Sequence, residues 1–97
     1  MNMQALMAQA QKMQKEIAKK KEEIDQKLFP GKSEWVEVEF SGKKKIVSIK
    51  LKNDIDISDI EALEDMIILA INDAMKKIDV ETEKQLGSLG NGLSGLI

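Results

Sequence analysis

Hydrophobic positions change their period along the chain, and each change marks an element. Met3, Leu6, Met7, Ala10, Met13, Ile17, Ile24 and Leu28 recur at spacings of mostly three and four, which predicts a helix over residues 2–28. In heptad terms Met3, Ala10, Ile17 and Ile24 share one core position and Leu6 and Met13 the other. Lys20 and Lys27 then occupy that second position and weaken the seam toward its C-terminal end. Glu16–Lys20 and Glu23–Lys27 are spaced i,i+4 for ion pairs along the helix. Phe29-Pro30-Gly31 stops it, because proline disfavours the helical region for the residue before it and glycine permits a turn.

From Glu34 the period shortens to two. Val36, Val38 and Phe40 alternate with Glu37 and Glu39, and Val47, Ile49 and Leu51 alternate with Ser48, Lys50 and Lys52. Ser41-Gly42-Lys43-Lys44 lies between them as a turn, so residues 34–52 read as a β-hairpin. Glutamates on one strand and lysines on the next can pair across the ladder. Two strands alone are marginal in water, and a third short strand is open at Leu28–Phe29 or at Asp54–Ile57. Trp35, on the glutamate-bearing face, is expected to pack beneath the first helix; stacking on a nucleobase is the alternative.

The helical period returns at Ser58. Ser58 with Glu61 three residues on is a capping-box pattern, and the helix is expected over residues 58–86. Ile60, Leu63, Ile67, Ala70, Ile71, Ala74 and Ile78 fall about one face; Met66, Ile68, Leu69 and Met75 add a second. Met66 to Ile71 are six apolar residues in succession. A helix covered on one side only needs a stripe rather than a belt. Met66, Ile68, Leu69 and Met75 are therefore the candidate dimer interface, since isologous dimers are the commonest way to cover such a face. The competing cover is the first helix folding back. Residues 87–97 hold four glycines, which predicts a flexible tail. Leu86 precedes it, and Leu89, Leu93, Leu96 and Ile97 lie within it.

Composition narrows the chemistry. The 97 residues suit a single α+β domain, and the chain contains no Cys, His, Tyr or Arg. Disulfides and thiolate zinc sites are excluded, and the usual acid–base residue near neutrality is missing. No serine lies in a G-x-S-x-G setting. The expectation is a protein that is not an enzyme, with no cofactor, metal or small-molecule substrate. Asp54, Asp56 and Ser58 have calcium-loop spacing, but Asp59 stands where that loop needs glycine and Asp65 where it has glutamate, so helix capping explains them better. The N-terminus lacks the pattern of a secretory signal, and no apolar run approaches a membrane span. A soluble, cytoplasmic protein is expected.

The net charge of −2 conceals an asymmetry: residues 1–32 carry +3, residues 33–52 carry +2 and residues 53–97 carry −7. Lys12, Lys15 and Lys19 share a helix face at i, i+3, i+7, flanked by Lys20, Lys21 and Lys27. Such a face can neutralise phosphates and release their counterions. The competing reading is a solvated helix with internal ion pairs to Glu16, Glu22, Glu23 and Asp25. Lys43, Lys44 and Lys45 form a second candidate patch at the hairpin turn. Lys76 and Lys77, with Lys84, form a third near the end of the second helix, where cations also suit the helix dipole.

"LEDMI" (Leu63 to Ile67), "INDAMKKI" (Ile71 to Ile78), the Gly/Ser-rich end and "MAQAQKMQKEI" (Met7 to Ile17) together resemble the YbaB/EbfC family of bacterial nucleoid-associated, DNA-binding proteins. The resemblance covers nearly the whole chain. It implies a homodimer in which sheets and second helices meet and helices project like tweezer arms, with duplex DNA as partner at the nucleoid. Two departures stand out: "FPGKSEW" lacks the family's glycine-rich run before the hairpin, and with no arginine the family's arginine contacts have no counterpart. Lysine binds phosphate as a point charge, so weak sequence preference is expected. Gln4, Gln9, Gln11 and Gln14 are the residues of the arm able to touch base edges. The reading from another class is a protein–protein adaptor or chaperone-like dimer that grips a polypeptide with its arms and leucine-rich tail.

Overall fold

The protein is described here by a computed structural model, which gives the backbone of residues 2–93 and the side chains of residues 2–87. Helix α1 (Met3–Gln26) leads into strands β1 (Leu28–Lys32), β2 (Val36–Ser41) and β3 (Ile46–Leu51), and helix α2 (Ile60–Leu93) follows. The strands form one antiparallel sheet in the order β1-β2-β3.

α1 starts at a side-chain cap. Asn2 Oδ1 accepts the Gln4 N–H at 3.0 Å, satisfying a donor that no helical carbonyl reaches. The helix ends two residues earlier than its periodicity predicts. Leu28 is a strand residue, 48 % exposed, rather than the last member of the helical seam. Phe29-Pro30-Gly31 is not a turn but the middle of β1, paired with Phe40, Glu39 and Val38. Proline is tolerated there because β1 is an edge strand.

Gly31 has a second role. A Cβ there would overlap the Ala70 carbonyl oxygen and lie 2.7 Å from the Ala74 nitrogen. Only a glycine facing two alanines lets the α2 backbone lie this close to β1. Gly42 does the same for α1: its N–H donates to the Lys27 carbonyl at 3.1 Å, and a Cβ would collide with the Ile24 carbonyl. The hairpin turn is thereby fixed against the C-terminal end of α1.

The core lies between α2 and the β1–β2 half of the sheet. Ile24, Phe29, Val36, Val38, Phe40, Ala70, Ala74 and Ile78 are buried, with Trp35, Leu63, Met66, Ile67, Ile71, Met75 and Leu86 packed around them. Complete burial of a Val, Ile or Phe side chain stabilises by about 1.5–3 kcal/mol, so Val36, Val38 and Ile78 are major contributors. Trp35 is not beneath α1. The Ser33 N–H donates to Val36 O and the Lys52 N–H to Trp35 O, which puts Trp35 at the end of the sheet remote from α1.

α2 lies close against β1 and β2, whereas among the described residues none of its Cα atoms comes within 8 Å of one in β3. Ile49 and Leu51 pair with Val38 and Val36 and so share their face of the sheet, yet they are 49 % and 45 % exposed. Val47 is the extra residue of an irregularity between Glu39 and Phe40. Glu37 stands opposite Lys50 as the alternation predicts, but its ion pair is with Lys32 at 3.9 Å. Glu39 accepts from Ser48 Oγ at 3.0 Å.

The start of α2 differs by one residue from expectation. Asp59, not Ser58, caps it, accepting the Ala62 N–H at 3.1 Å, while Ser58 is held by Asp56 Oδ1. Both residue types cap well, and the Asp56–Ser58 turn decides between them. At its other end α2 continues to Leu93, past the expected stop at residue 86. A glycine in a helix costs about 1 kcal/mol relative to alanine, which a helix already nucleated and packed through Leu86 absorbs. The last four residues of the expected tail, with Leu96 and Ile97, lie outside the described residues.

Candidate nucleic-acid interface

α1 and α2 run antiparallel where they meet. Lys27 Nζ is 3.6 Å from Glu81 Oε1, and Lys20, Glu23, Ile24 and Lys27 face Glu81 and Gln85 across a crevice. Among the described residues, the ion pair and the crevice both lie toward this end of α1. Met13 and Ile17 are half-buried, whereas Met3, Leu6 and Met7 are exposed. α1 is thus an arm anchored at its C-terminal end, in a molecule 69 Å long, and it does not fold back over Ile68 and Leu69.

Lys12, Lys15, Lys19 and Lys21 are exposed along the arm, and Lys20 is half-buried toward α2. The ion pairs predicted from the spacings Glu16–Lys20 and Glu23–Lys27 do not form: Lys27 turns instead to Glu81, with its ammonium 5.7 Å from the Phe29 ring centroid. Among the described residues, Lys12, Lys15, Lys19 and Lys21 make no ion pair at all. Glu22 is hydrogen-bonded to Gln26.

The hairpin turn adds Lys43, Lys44 and Lys45, all exposed. Lys44 has φ 65, a left-handed conformation that glycine or asparagine adopts with less strain. Its N–H closes the turn on Ser41 O at 2.8 Å, and its ammonium is 3.6 Å from Asp79. Because Gly42 abuts Ile24 and Lys27, this turn and the base of the arm are neighbours, and Lys27 joins the two clusters.

Lys76 and Lys77 lie farther along, in a groove between β1 and α2 that Lys27 and Glu81 line at one end and that also takes in Leu28, Pro30, Asp73 and Val80. They are well inside α2, with no basic residue in its last turn, so the expected helix-dipole role for them and Lys84 does not apply. Lys77 is engaged structurally. Its Nζ donates to Pro30 O at 2.9 Å and lies 3.3 Å from Asp73 Oδ2, and that carboxylate accepts the Lys32 N–H at 2.9 Å. Together with the missing N–H of Pro30, these bonds close the outer edge of β1. The Lys32 N–H, with a lesser contribution from Lys77, holds the Asp73 carboxyl below its ordinary pKa. Gln85, then Lys27, lowers that of Glu81. Sequence reading missed the Asp73 bridge; an aspartate followed by lysines at i+3 and i+4 is too common a pattern to point across to a strand.

Of the four candidate interface residues, Ile68 and Leu69 are each 55 % exposed, while Met66 and Met75 are partly buried against the chain's own core. The uncovered apolar surface extends beyond them to Ile46, Ile49 and Leu51 of β3, whose outer edge has no strand beside it among the described residues. No group of metal-ligating side chains occurs among the described residues, and no described helix is long and apolar enough to cross a membrane.

The architecture is that of a small α-β-β-β-α protein with a projecting basic helix. The chain belongs to the YbaB/EbfC DNA-binding family, whose model matches residues 1–93. It is 47 % identical over 96 residues to the nucleoid-associated protein LL0120 of Lactococcus lactis, covering 96 % of this chain and 97 % of that one. A nucleoid-associated protein of Enterococcus faecalis is 41 % identical over 97 residues, covering 97 % and 93 %. The fold is also that of the HP0035 protein of Helicobacter pylori, whose crystal structure superposes with a TM-score of 0.77 at 22 % identity and covers 92 % of this chain and 97 % of that one.

Proposed function

We propose that this protein is a homodimeric, non-enzymatic nucleoid-associated protein of the cytoplasm that binds duplex DNA through lysine–phosphate contacts with little sequence preference. The observation that carries the reading is the freedom of the arm lysines. Lys12, Lys15, Lys19 and Lys21 are exposed and lack carboxylate partners among the described residues, so binding phosphate breaks no ion pair. Lys43, Lys44, Lys45, Lys20 and Lys27 extend this surface around the base of the arm. Lys76 lies at its margin, and Lys77, already bonded to Pro30 O, contributes least.

Low specificity follows from the same residues. Lysine supplies a flexible point charge, whereas bidentate guanine readout is mostly arginine's work, and this chain has no arginine. Two observations support the homodimer. The apolar row of β3 and Ile68–Leu69 of α2 is uncovered, and β3 is the open edge of a sheet whose other edge is closed by Pro30, Asp73 and Lys77.

The test is fluorescence anisotropy with two unrelated duplexes of equal length, titrated at several salt concentrations. Similar binding to both, weakening steeply with salt, is expected. A strong preference for one duplex refutes phosphate-dominated binding. No binding at low salt by a confirmed dimer refutes the DNA reading and favours the adaptor.

A further inference from the structure

Two carboxylates of α2 stand among the basic residues at the base of the arm. Asp79 lies 3.6 Å from Lys44 at the hairpin turn, and Glu81 lies 3.6 Å from Lys27 just past the end of α1. Glu81 is held in place by a further bond: Gln85 Nε2 donates at 2.9 Å to the same Oε1 that faces Lys27. Lys27 and Lys44 belong to adjoining segments, because Gly42 abuts Ile24 and its N–H bonds to Lys27 O. α2 thus sets an anion on each of two lysines where arm and turn meet.

Stability does not account for the pair at the turn. Lys44 has the left-handed backbone conformation that glycine or asparagine takes with less strain. The glycine of the turn does not take that conformation; Gly42 serves the close approach to α1 instead. Both side chains of the Lys44–Asp79 pair are more than half exposed, and an ion pair so exposed returns less than the conformation costs. A cation kept at such a position serves an external anion, and the carboxylate beside it then competes with that anion. The Lys27–Glu81 pair repeats the arrangement on the neighbouring segment, with its carboxylate held by Gln85.

We infer that Asp79 and Glu81 are internal competitors of DNA phosphate: they occupy Lys44 and Lys27 in the free protein and lower both the affinity and the salt dependence of DNA binding. The inference rests on the DNA reading above. When a lysine leaves its carboxylate for a phosphate, the DNA releases a counterion, while the vacated carboxylate attracts cations from solution. The net release at that contact is small, so the base of the arm adds little to the salt slope. Without the carboxylates, each of the two lysines adds up to about 0.9 to it. The vacated carboxylates also remain beside the phosphates, and like charges repel. Glu81 cannot swing aside without losing its bond from Gln85, which makes Gln85 a positioning residue for this competition.

The test compares wild type with Asp79→Asn/Glu81→Gln, which removes both charges and keeps the side-chain shapes. Glu34→Gln/Asp65→Asn is the control, an equal change of net charge at two exposed carboxylates that make no ion pair among the described residues. Thermal unfolding establishes that all three are folded. Anisotropy on one short duplex at about 100 mM salt should show the first variant binding roughly tenfold more tightly than wild type, about threefold for each pair. Its slope of log K against log salt should be steeper by up to about 1.8. The control should stay within about twofold of wild type, because its charges are screened from the DNA. In a Lys27→Gln/Lys44→Gln background, Asp79→Asn/Glu81→Gln should change almost nothing, as a double-mutant cycle requires when the carboxylates act through these lysines. Equal binding by wild type and the first variant overturns the inference and leaves the DNA reading standing. So does a control that tightens binding as much, or a gain that persists without the two lysines. If wild type binds no DNA and the first variant does, that gain upholds the competition. If neither binds at low salt, the proposed function fails and the inference falls with it.

Discussion

Lys12 to Lys19 spans seven residues, about 10 Å of helix, a length over which the duplex axis passes about three phosphates of each strand at about 3.4 Å of rise apiece. Replacing Lys15 and Lys19 together by glutamine removes two exposed charges that make no ion pair among the described residues. Helix propensity is nearly unchanged, since lysine and glutamine rank together. Each neutralised phosphate contributes about 0.9 to the slope of log K against log salt, so the variant's slope should be shallower by about 1.8 if one arm engages a duplex. Between about 50 and 200 mM salt, wild-type affinity then falls about twelvefold more than the variant's. If both arms of a dimer grip the same duplex, the slope difference doubles to about 3.6 and the excess fall approaches about 150-fold. Anisotropy titrations at four or five salt concentrations, on a duplex too short for two dimers, measure this directly. A variant whose slope matches wild type refutes the arm as the phosphate-binding surface, whatever its affinity at any single salt concentration.

Gly31→Ala should destabilise by about 3 kcal/mol or more, at or above the usual range for overpacking, because the obstacle is the α2 backbone rather than a movable side chain; urea denaturation showing under about 0.5 kcal/mol would mean that α2 shifts freely on β1. Asp73 has a depressed carboxyl pKa, so its charge contributes stability above its ordinary value of 3.8, and that contribution disappears as pH falls through the lower folded-state value. The stability difference between wild type and Asp73→Asn should accordingly shrink on acidification from about pH 5 to pH 2, and a difference that stays constant or grows removes the charge from the account. Ile49→Lys should leave the isolated fold intact, since this side chain is already 49 % exposed, yet give a monomer on gel filtration where wild type gives a dimer; a dimeric variant moves the contact away from β3.

Alternation made β2 legible because one of its faces is buried, and β3 carries the same period of two although its apolar row is about half exposed. β1 was only half visible. Leu28–Phe29 suggested a strand, but Pro30 and Gly31 look like punctuation unless the strand is at an edge and a helix crosses it closely, both of which are tertiary facts. The Ala70–Ala74 spacing is the local trace of that crossing, and it reads equally well as ordinary helix-forming alanine. Intrahelical spacing overvalued the α1 ion pairs, because nothing local reveals that Glu81 competes for Lys27. Glycine counting likewise ended α2 too early. Of the second apolar face, Met66, Ile68, Leu69 and Met75, only Ile68 and Leu69 are exposed, and the half-exposed apolar row of β3 depends on how far α2 reaches across the sheet, a tertiary fact that no local pattern carries.

The electrostatic sorting explains how a chain of net charge −2 can present a cationic arm. Ten of the seventeen acidic residues follow Lys52, seven of them in α2, and three of these are directed at specific lysines: Asp73 at Lys77, Asp79 at Lys44 and Glu81 at Lys27. These pairs tie the β1 edge, the hairpin turn and the base of α1 to the same helix. They differ in availability. Lys44–Asp79 and Lys27–Glu81 are ion pairs of largely exposed lysines, of the kind worth little in water, so a phosphate can displace either carboxylate at small cost. Lys77 also holds Pro30 O, and Asp73 also holds the Lys32 N–H, so moving Lys77 onto DNA reopens the strand edge. Lys12, Lys15, Lys19 and Lys21 of the arm have no carboxylate to displace among the described residues. Phosphate should therefore engage first along the arm and next at Lys27 and Lys44. The β1–α2 groove comes last, because there the same bonds that would have to break are the ones that close the sheet.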